Sequence, residues 1–392
     1  MPVYLAAAAA VSSVVSIVGA EILMAVALIA VIRARPWQKK PLPGAALPIA
    51  GWMAWTLVSL FASGHIHDGL PQVKKFIWFA MLFVVYYAVS EPRHIRATVF
   101  AFAAAACASS LWGFVQFANK YHAAHALHRD FYTYYVAGRI TGFMGHWMTF
   151  SGQMMMALML LGALLLLSRE RKGKLWLIPA GLIIAAALFI AETRSMWGGA
   201  VAGAVYLIWF SGRRWLLLGI PVAAVALYAA NPFSARERMV SIVHPHGDVD
   251  SNEHRAVLRI IGAQMIRAHP WLGVGPEQVG KVYERYIPSS VARPLPTGYY
   301  GHLHNIYYHY AAERGLPALA FLLWFLLGSV WEFARALRCG PPGSEARWIL
   351  HASIAVIIAV MAGGYFEVNL GDSEVLAMFL AVVGCGYSAA RL

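Results

Sequence analysis

Charged side chains are scarce in this sequence, at 12% of its 392 residues, whereas soluble domains carry about 25%. Hydrophobic residues make up 60% instead, which excludes an ordinary soluble enzyme. Several apolar runs approach the roughly 20 residues that a helix needs to cross a bilayer. Because the two-residue alternation of a membrane barrel does not accompany them, the sequence predicts an all-α, polytopic membrane protein.

Cysteine is rare as well. Cys107, Cys339 and Cys385 are far apart, so neither a disulfide framework nor a thiolate metal site is indicated. No basic start precedes the first apolar run, and we expect no cleavable signal peptide. A net charge of +13 would suggest nucleic acid as a partner of a soluble protein. Here the cations fall mostly in short links, as the positive-inside bias requires, and we expect no nucleic-acid partner.

The apolar segments can be arranged as membrane spans. Residues 3–33 are long enough for one long helix or two short ones, and the sequence leaves both open. With the basic link 33–40 in the cytoplasm, the later basic links 93–96, 169–174, 213–214 and 335–347 fall on the same side. Two spans in 3–33 would give about twelve transmembrane helices, the others lying at about 44–63, 73–90, 95–117, 145–167, 175–191, 195–211, 214–230, 316–336, 347–364 and 373–390.

These spans form one membrane domain, which we divide into N-terminal helices (1–230), one large extracytoplasmic loop (231–314) and C-terminal helices (315–392). Within the loop, residues 253–268 predict an amphipathic helix with Leu258, Ile261 and Met265 on one face. His269-Pro270 ends that helix because proline cannot continue its hydrogen bonds. Gly273-Val274-Gly275-Pro276 then predicts a tight turn.

The stretch 300–328 brings two histidines, several tyrosines and an Arg-Gly-Leu-Pro break to the start of a span. His304 is the candidate base, because imidazole accepts and donates a proton near neutral pH. The alternative is a histidine at a helix start that binds only the backbone. Free amides near His302 and Asn305, where the next helix begins, suit an anion. Tyr308 and its neighbours could stack on sugars.

Arginines at the outer membrane edge are the second group of candidates. Arg194 lies between two spans, and Arg255 and Arg259 lie one turn apart on the predicted loop helix; Arg139 precedes a span. Guanidinium groups bind phosphoryl oxygens with two charge-assisted hydrogen bonds, so these residues suit the pyrophosphate of a lipid carrier. The alternatives are pairing of Arg194 with Glu192 or lipid headgroups, and a solvated helix face for the other two.

Metal chemistry has little support in the sequence. His302 and His304 are two residues apart, but no HExxH or DxD motif accompanies them. Asp248 and Asp250 form an acidic patch that is more typical of a solvated loop. We therefore expect neither a metal nor another cofactor.

The combination resembles the O-antigen ligase family, whose signature is His followed by Asn, Ser or Gln, then nine residues, Gly, two residues, and Gly, Thr or Tyr. His304-Asn305 and Gly315-Leu316-Pro317 fit this signature, whereas Ala318 departs from its last position. The segment RAVLRIIGAQMIRAHPWLGVGPEQV from Arg255 and the segment TRSMWGG around Arg194 resemble the family's arginine sites. The same motifs occur in O-antigen polymerases and protein O-oligosaccharyltransferases.

The resemblance implies a GT-C-like membrane glycosyltransferase that needs no metal. Such an enzyme moves O-antigen polysaccharide from undecaprenyl pyrophosphate to lipid A core oligosaccharide, at the periplasmic face of the bacterial inner membrane and in contact with its lipids. His304, Arg194 and Arg255 would be catalytic. Further substrate-binding candidates are Arg259, Arg139, Asn305, Tyr308 and His302. A transporter or flippase of lipid-linked glycans is the alternative from another class, although such proteins more often carry ionisable residues at mid-membrane.

Overall fold

The computed structural model describes residues 2–38, 40–89, 91–169, 174–244, 252–341 and 343–392. It is 78% helical, and no β-strand occurs within those ranges, so the all-α prediction is confirmed. The acidic patch with Asp248 and Asp250, Lys39, and most of the basic link 169–174 lie outside the described residues.

The α-helices of the described residues are numbered α1 to α17 in chain order. They span Pro2–Ser12, Ile17–Ala34, Ala46–Ser63, Ile66–Lys74, Ala80–Ala88, Pro92–Ala126, Phe131–Ala137, Trp147–Leu167, Leu177–Ile190, Arg194–Phe210, Gly219–Ala230, Ala235–Val240, Asn252–Ala268, Val279–Val282, Ile306–Cys339, Ala346–Gly364 and Ser373–Ala389. Short 3-10 turns at Lys75–Phe79 and Arg214–Leu218 lead into α5 and α11.

Six of the described helices are long and apolar enough to cross a membrane, namely α2, α3, α6, α8, α15 and α16. A seventh span results if Arg214–Ala230 and Pro232–Val240, which meet at 117°, are counted as one. The chain is therefore a polytopic membrane protein, as predicted. The expected count of about twelve is not reached by this length criterion, because α1, α9 and α17 are apolar but have 17 residues or fewer.

Residues 3–33 fold as two helices rather than one. Ser16 begins the second, α2, and its hydroxyl accepts a hydrogen bond from the amide of Gly19 at 3.3 Å. The first helix, α1, has only 11 residues, so it rises about 16 Å, half of the roughly 30 Å hydrocarbon core. Two helices are present, but α1 is too short to cross alone.

The centre of the bundle is formed by α8, α10, α16 and α17. In the apolar 18-residue stretch that could cross the membrane, 72% of α8 and 78% of α16 is buried. Gly199 and Gly203 let α10 approach α16 closely, since a Cβ at Gly199 would lie 2.5 Å from the carbonyl oxygen of Ala359. This packing brings one end of α8, the start of α10 and the segment after α16 to the same end of the bundle. Those three places carry the polar residues described below.

The loop helix predicted at 253–268 is confirmed as α13, Asn252–Ala268. Its predicted apolar face, Leu258, Ile261 and Met265, is fully buried. These side chains form a small separate core with Val279, Leu303 and Ala312. The large loop is therefore packed on the start of α15.

Helix α15 is broken at Gly315, where the sequence predicts an Arg-Gly-Leu-Pro break. Gly315 has φ 84° and ψ 168°, a conformation that favours glycine. The segment after α13 fills the break: Leu316 donates its amide to the carbonyl of Pro270 at 2.7 Å, and Val274 donates to Ala312 at 2.9 Å. A Cβ at Gly315 would lie 1.9 Å from the carbonyl oxygen of Trp271. The break is thus a docking point that fixes α13 relative to α15.

A buried arginine beside this break reinforces the connection. Arg314 is fully buried and pairs with Glu313 at 3.0 Å, while its Nη2 donates to Gln72 at 2.7 Å. Its guanidinium also lies 4.6 Å above the ring of Trp52. Because the buried guanidinium has these partners, Arg314 stabilises the contact between α3, α4 and α15.

Candidate active site

His304 lies immediately before α15 in a left-handed backbone conformation, with φ 46°. That conformation is uncommon for residues other than glycine and is often found at functional sites. The ring Nδ1 lies 3.0 Å from Oε2 and 3.2 Å from Oε1 of Glu367. Because a carboxylate only accepts hydrogen bonds, Nδ1 carries the proton and Nε2 is left as the acceptor in the neutral ring.

Asn305 caps α15 and also joins it to the segment that carries Glu367. Its Oδ1 accepts hydrogen bonds from the amides of Tyr307 and Tyr308 at 2.9 and 3.0 Å. Its Nδ2 donates to the carbonyl of Tyr365 at 2.7 Å. The sequence predicts a substrate ligand at this position; the contacts of the side chain are those of an N-cap that sets the place of His304.

Glu367 is the residue that sequence reasoning missed. It is buried, and besides His304 it accepts a hydrogen bond from Nη2 of Arg255 at 3.3 Å and one from the amide of Val368 at 3.1 Å. Burial alone would raise its pKa, but the hydrogen bond from His304 and the charges of His304, Arg255 and His302 outweigh it and lower the pKa to about 2. The available signal was two acids, Glu367 and Asp372, in the short outer link 366–372.

Arg255 is held at the same carboxylate from α13. Its side chain is 16% exposed, and its Nε is shielded from solvent and has no hydrogen-bond partner among the residues that the structure describes. Burial lowers the pKa of Arg255, and the nearby carboxylate of Glu367 opposes that shift. A shielded donor beside a paired one leaves this guanidinium able to bind a further oxygen acceptor.

Arg194 is the first residue of α10 and reaches the start of α13. Its Nη1 donates to the carbonyl and hydroxyl of Ser241 at 2.7 and 2.9 Å, and its Nη2 donates to Oδ1 of Asn252 at 2.7 Å. Asn252 lies one turn before Arg255 on the same helix. The two predicted phosphate ligands therefore belong to one connected region. The acid near Arg194, Glu192, lies 3.8 Å from Arg238.

Arg139 and Arg238 extend this group of cations. Arg238, which the sequence did not single out, is buried and donates from Nε to the carbonyl of Glu192 at 3.0 Å. Arg139 lies 5.2 Å from the ring of Trp147, and its Nε is shielded and without a partner. Burial, and then the charge of Arg238, lowers the pKa of Arg139 to about 9, and Arg194 contributes in the same direction.

Two more histidines lie next to His304, the candidate base. The amide of His304 donates to Nδ1 of His302 at 3.3 Å, and Nε2 of His302 lies 3.9 Å from Glu367. His254 lies edge-on to the ring of His304, with 5.5 Å between centroids. Burial, and then the charge of His304, lowers the pKa of His302 to about 3 and that of His254 to about 4. Both rings are neutral at pH 7, so His302 supports the base and adds no charge for an anion.

The remaining predicted residues lie apart from this group. Arg259 is exposed and lies 6.0 Å from the ring of Tyr365. Tyr308 is 37% exposed. Neither makes a hydrogen bond or ion pair to His304, Arg255 or Glu367. Their roles as substrate ligands stay predictions.

One group of side chains has the composition of a metal site. His302, His304 and Glu367 each offer a ligand atom, and these atoms lie within 4.8 Å of one another. Two histidines and a carboxylate are a set that zinc uses in catalytic sites. The same carboxylate contacts Arg255 at 3.3 Å, so a cation here would share it with a guanidinium and be repelled by that charge. The three ligand atoms suit a metal ion, whereas the positive charge of Arg255 beside them disfavours one.

Comparison with known proteins supports the sequence-based resemblance. Residues 179–323 match the family model described as O-antigen ligase, and this region contains Arg194, Arg255 and His304. Comparison with curated proteins gave no match. Arg139 and Glu367 lie outside the matched region. The match, together with the helical membrane architecture and the grouping of His304 and Arg255 around one carboxylate, supports the O-antigen ligase family.

Proposed function

We propose that this protein transfers O-antigen polysaccharide from undecaprenyl pyrophosphate to a sugar hydroxyl of lipid A core oligosaccharide. The reaction would occur at the periplasmic face of the bacterial inner membrane. The match of residues 179–323 to the O-antigen ligase family supports a glycosyltransferase of the ligase and polymerase type. The observation that carries the finer proposal is Glu367, which contacts a candidate base and a candidate phosphate ligand at once.

His304 acts as the general base in this proposal. Glu367 accepts the Nδ1 proton, and Nε2 therefore presents a lone pair to the acceptor hydroxyl. As the proton passes to Nε2, the acceptor oxygen forms a bond to the anomeric carbon of the donor sugar. The bond between that carbon and the pyrophosphate oxygen breaks, and its electron pair leaves with undecaprenyl pyrophosphate.

The arginines stabilise the departing pyrophosphate. Arg255 offers a shielded Nε that lacks an acceptor, and Arg194 lies at the other side of the α13 start. Removing one such donor from a site where negative charge develops costs roughly 100- to 1000-fold in kcat. Arg139 would add a third guanidinium on the phosphate side. Arg259, Tyr308 and His302 would line the path of the glycan.

These guanidiniums supply the positive charge that a divalent cation supplies in many other phosphate-transferring sites. We therefore propose a reaction that requires no metal ion. The lipid-linked donor would reach the site by lateral diffusion in the membrane, at the outer ends of the spans.

The nearest alternatives use the same chemistry with another acceptor. An O-antigen polymerase would extend a second lipid-linked glycan, and a protein O-oligosaccharyltransferase would use a peptide hydroxyl. The deciding experiment mixes the purified protein with lipid-linked glycan alone, with added lipid A core, and with added peptide. Product that requires the core supports the ligase, whereas product with donor alone or with peptide overturns it in favour of a relative.

A transporter or flippase of lipid-linked glycan is the alternative from another class. There the cations would only guide an anionic substrate, and a base would be unnecessary. His304→Ala in reconstituted vesicles separates the two: we expect transfer to fall by about 100-fold or more, with normal folding. Movement of the lipid-linked glycan without any transfer by the wild type, unchanged in His304→Ala, would contradict the glycosyltransferase.

A further inference from the structure

A second polar site lies beyond the residues discussed so far, where the long helix α6 leaves the bundle. A cleft between the end of α6 and helix α7, here the α6–α7 cleft, is lined by Lys120, Arg129, Thr133, Tyr134 and Gly138, has a volume of about 610 Å³ and is open to solvent. We propose that the α6–α7 cleft binds a phosphate group on the head of the acceptor glycolipid. This inference rests on the proposed function and names the part of the acceptor that is recognised.

The charge of the cleft favours an anion. Neither Lys120 nor Arg129 has a hydrogen-bond or ion-pair partner for its side chain among the residues that the structure describes. The one acid in the lining, Asp130, is already occupied: its Oδ2 accepts hydrogen bonds from the amide and the hydroxyl of Thr133 at 2.8 and 2.9 Å. Two cations therefore face the cleft against one carboxylate, and the lining keeps a net positive charge.

The cleft also has the hydrogen-bonding groups that a phosphorylated sugar needs. The amine of Lys120 lies beside Gly138, 3.5 Å from the position that a Cβ there would take, so it reaches across the cleft floor. Tyr134, half-buried, adds a ring for the flat face of a sugar. A primary ammonium, a guanidinium and an aromatic ring are a common set for an anionic carbohydrate.

The position of the cleft relative to the membrane fits a glycolipid head. Helix α6 has 35 residues, which rise about 52 Å and exceed the hydrocarbon core by roughly 20 Å. With the apolar part of α6 in the bilayer, the cleft at its C-terminal end would lie at the depth of headgroups and of the first sugars attached to them. A soluble anion would not require this depth.

A chain of neighbours connects the cleft to the candidate active site. Gly138 lines the cleft, and the next residue is Arg139. His146 is close enough to Arg139, His304 and Glu367 for all three to influence its pKa. The intervening turn is held firmly, because Oε1 of Gln116 accepts hydrogen bonds from the amides of Thr141 and Gly142 at 2.9 and 3.0 Å. The loop 139–146 therefore connects the cleft to the residues around the base.

The test compares two acceptors in full-length protein reconstituted in zwitterionic lipid: lipid A core that carries its phosphates, and the same material after phosphatase treatment. The cleft variant is Lys120→Ala with Arg129→Ala, and the matched control is Arg285→Ala, an exposed cation of the large loop. We expect the cleft variant to raise KM for the phosphorylated acceptor roughly 3- to 10-fold, as suits exposed cations. The kcat, the KM for donor and the KM for dephosphorylated acceptor should stay at wild-type values.

Equal effects on both acceptors, or a wild-type preference that survives in the cleft variant, overturn the inference. A variant whose activity instead changes with added anionic phospholipid, regardless of acceptor phosphate, would show that bulk lipid occupies the cleft and would also overturn it. Direct binding of labelled acceptor to wild type and cleft variant is measured in parallel. If the wild type yields no product with any acceptor, the proposed function fails, and the binding comparison alone then decides whether the cleft recognises phosphate.

Discussion

The Nδ1 atom of His304 lies 3.0 Å from Oε2 of Glu367, although the two residues are 63 positions apart in the chain. The same oxygen accepts a hydrogen bond from Arg255 at 3.3 Å. One buried carboxylate therefore orients the imidazole and holds a guanidinium that is suited to a diphosphate. A change at Glu367 should affect the proton transfer directly, even though Glu367 does not contact the acceptor in this scheme.

Glu367→Gln tests that orientation. A glutamine can turn its amide N–H toward His304, which would favour the tautomer with the proton on Nε2 and remove the base. An exchange of this kind behind a catalytic histidine lowers kcat by up to about 10,000-fold, and we expect a loss of at least 100-fold here with a small change in KM for donor. Glu367→Asp should retain part of the activity. Glu374→Gln, at a nearby acid that does not contact His304, Arg255 or Glu367, is the control, and equal losses in both amide variants would contradict the assignment.

Acid stability gives a second test of the same carboxylate. The pKa of Glu367 is lowered from 4.5 to about 2. Since the folded-state pKa is depressed, Glu367 stabilises the fold fully above its ordinary pKa and loses this contribution as the pH falls toward 2. The difference in thermal midpoint between wild type and Glu367→Gln should therefore be larger at pH 5 than at pH 3. A difference that stays constant or grows on acidification would contradict the low pKa.

Local patterns in the sequence were sufficient to predict much of the large loop. They also pointed to His304 and Arg255, but not to the carboxylate that both of them contact. The apolar face of α13, the break at Gly315 and the position of His304 before a helix follow from periodicity, proline and glycine chemistry and capping. Glu367 does not follow, because its burial depends on the packing of α16 against α10 and on the bond from Asn305 to Tyr365. Such contacts join residues distant in the chain, and one sequence does not report them.

Arg238 and helix α1 are two further features that the sequence alone did not predict correctly. Arg238 follows a polar turn and looks like an ordinary loop cation, yet it is 4% exposed and bound to Glu192. Helix α1 is apolar enough for a span, but its 11 residues are too few to cross. Hydropathy measures the preference for lipid; it does not give the place where the backbone turns, which here is set by the Ser16 cap of α2.

Asn305 separates a structural role from substrate binding. Asn305→Ala removes the cap and the link to Tyr365, and we expect a loss of about 0.5–2 kcal/mol in the free energy of unfolding. Asn305→Ser keeps a cap oxygen and should recover most of that stability. Thermal unfolding of both variants, together with KM for acceptor, is the measurement. A large rise in KM for both variants at unchanged thermal midpoint would instead assign Asn305 to the substrate.

Removing and adding metal ions should affect the activity differently. A chelator should leave activity within about twofold of the untreated enzyme, because the guanidiniums supply the charge in the proposed reaction. Added Zn²⁺ should inhibit, since binding to His302, His304 and Glu367 would occupy the base. Initial rates with EDTA and with a Zn²⁺ titration measure both effects. Activity that disappears with EDTA and returns with a divalent ion would show that this group is a working metal site.

Arg139 offers a test in which stability and function change in opposite directions. Its guanidinium has no hydrogen-bond or ion-pair partner within the described part of the chain, and the charge of Arg238 lowers its pKa more than the charge of Glu192 raises it. A shielded cation among like charges destabilises the ligand-free protein, so Arg139→Met should preserve or raise the thermal midpoint. The same variant should lower kcat/KM for the lipid-linked donor roughly 10- to 100-fold, since hydrogen bonds to charged groups contribute about 1.5–3 kcal/mol. Arg139→Lys should recover part of the activity, and Arg285→Ala is the exposed control. If Arg139→Met lowered stability and activity together, Arg139 would be a structural residue and its place in the phosphate site would be wrong.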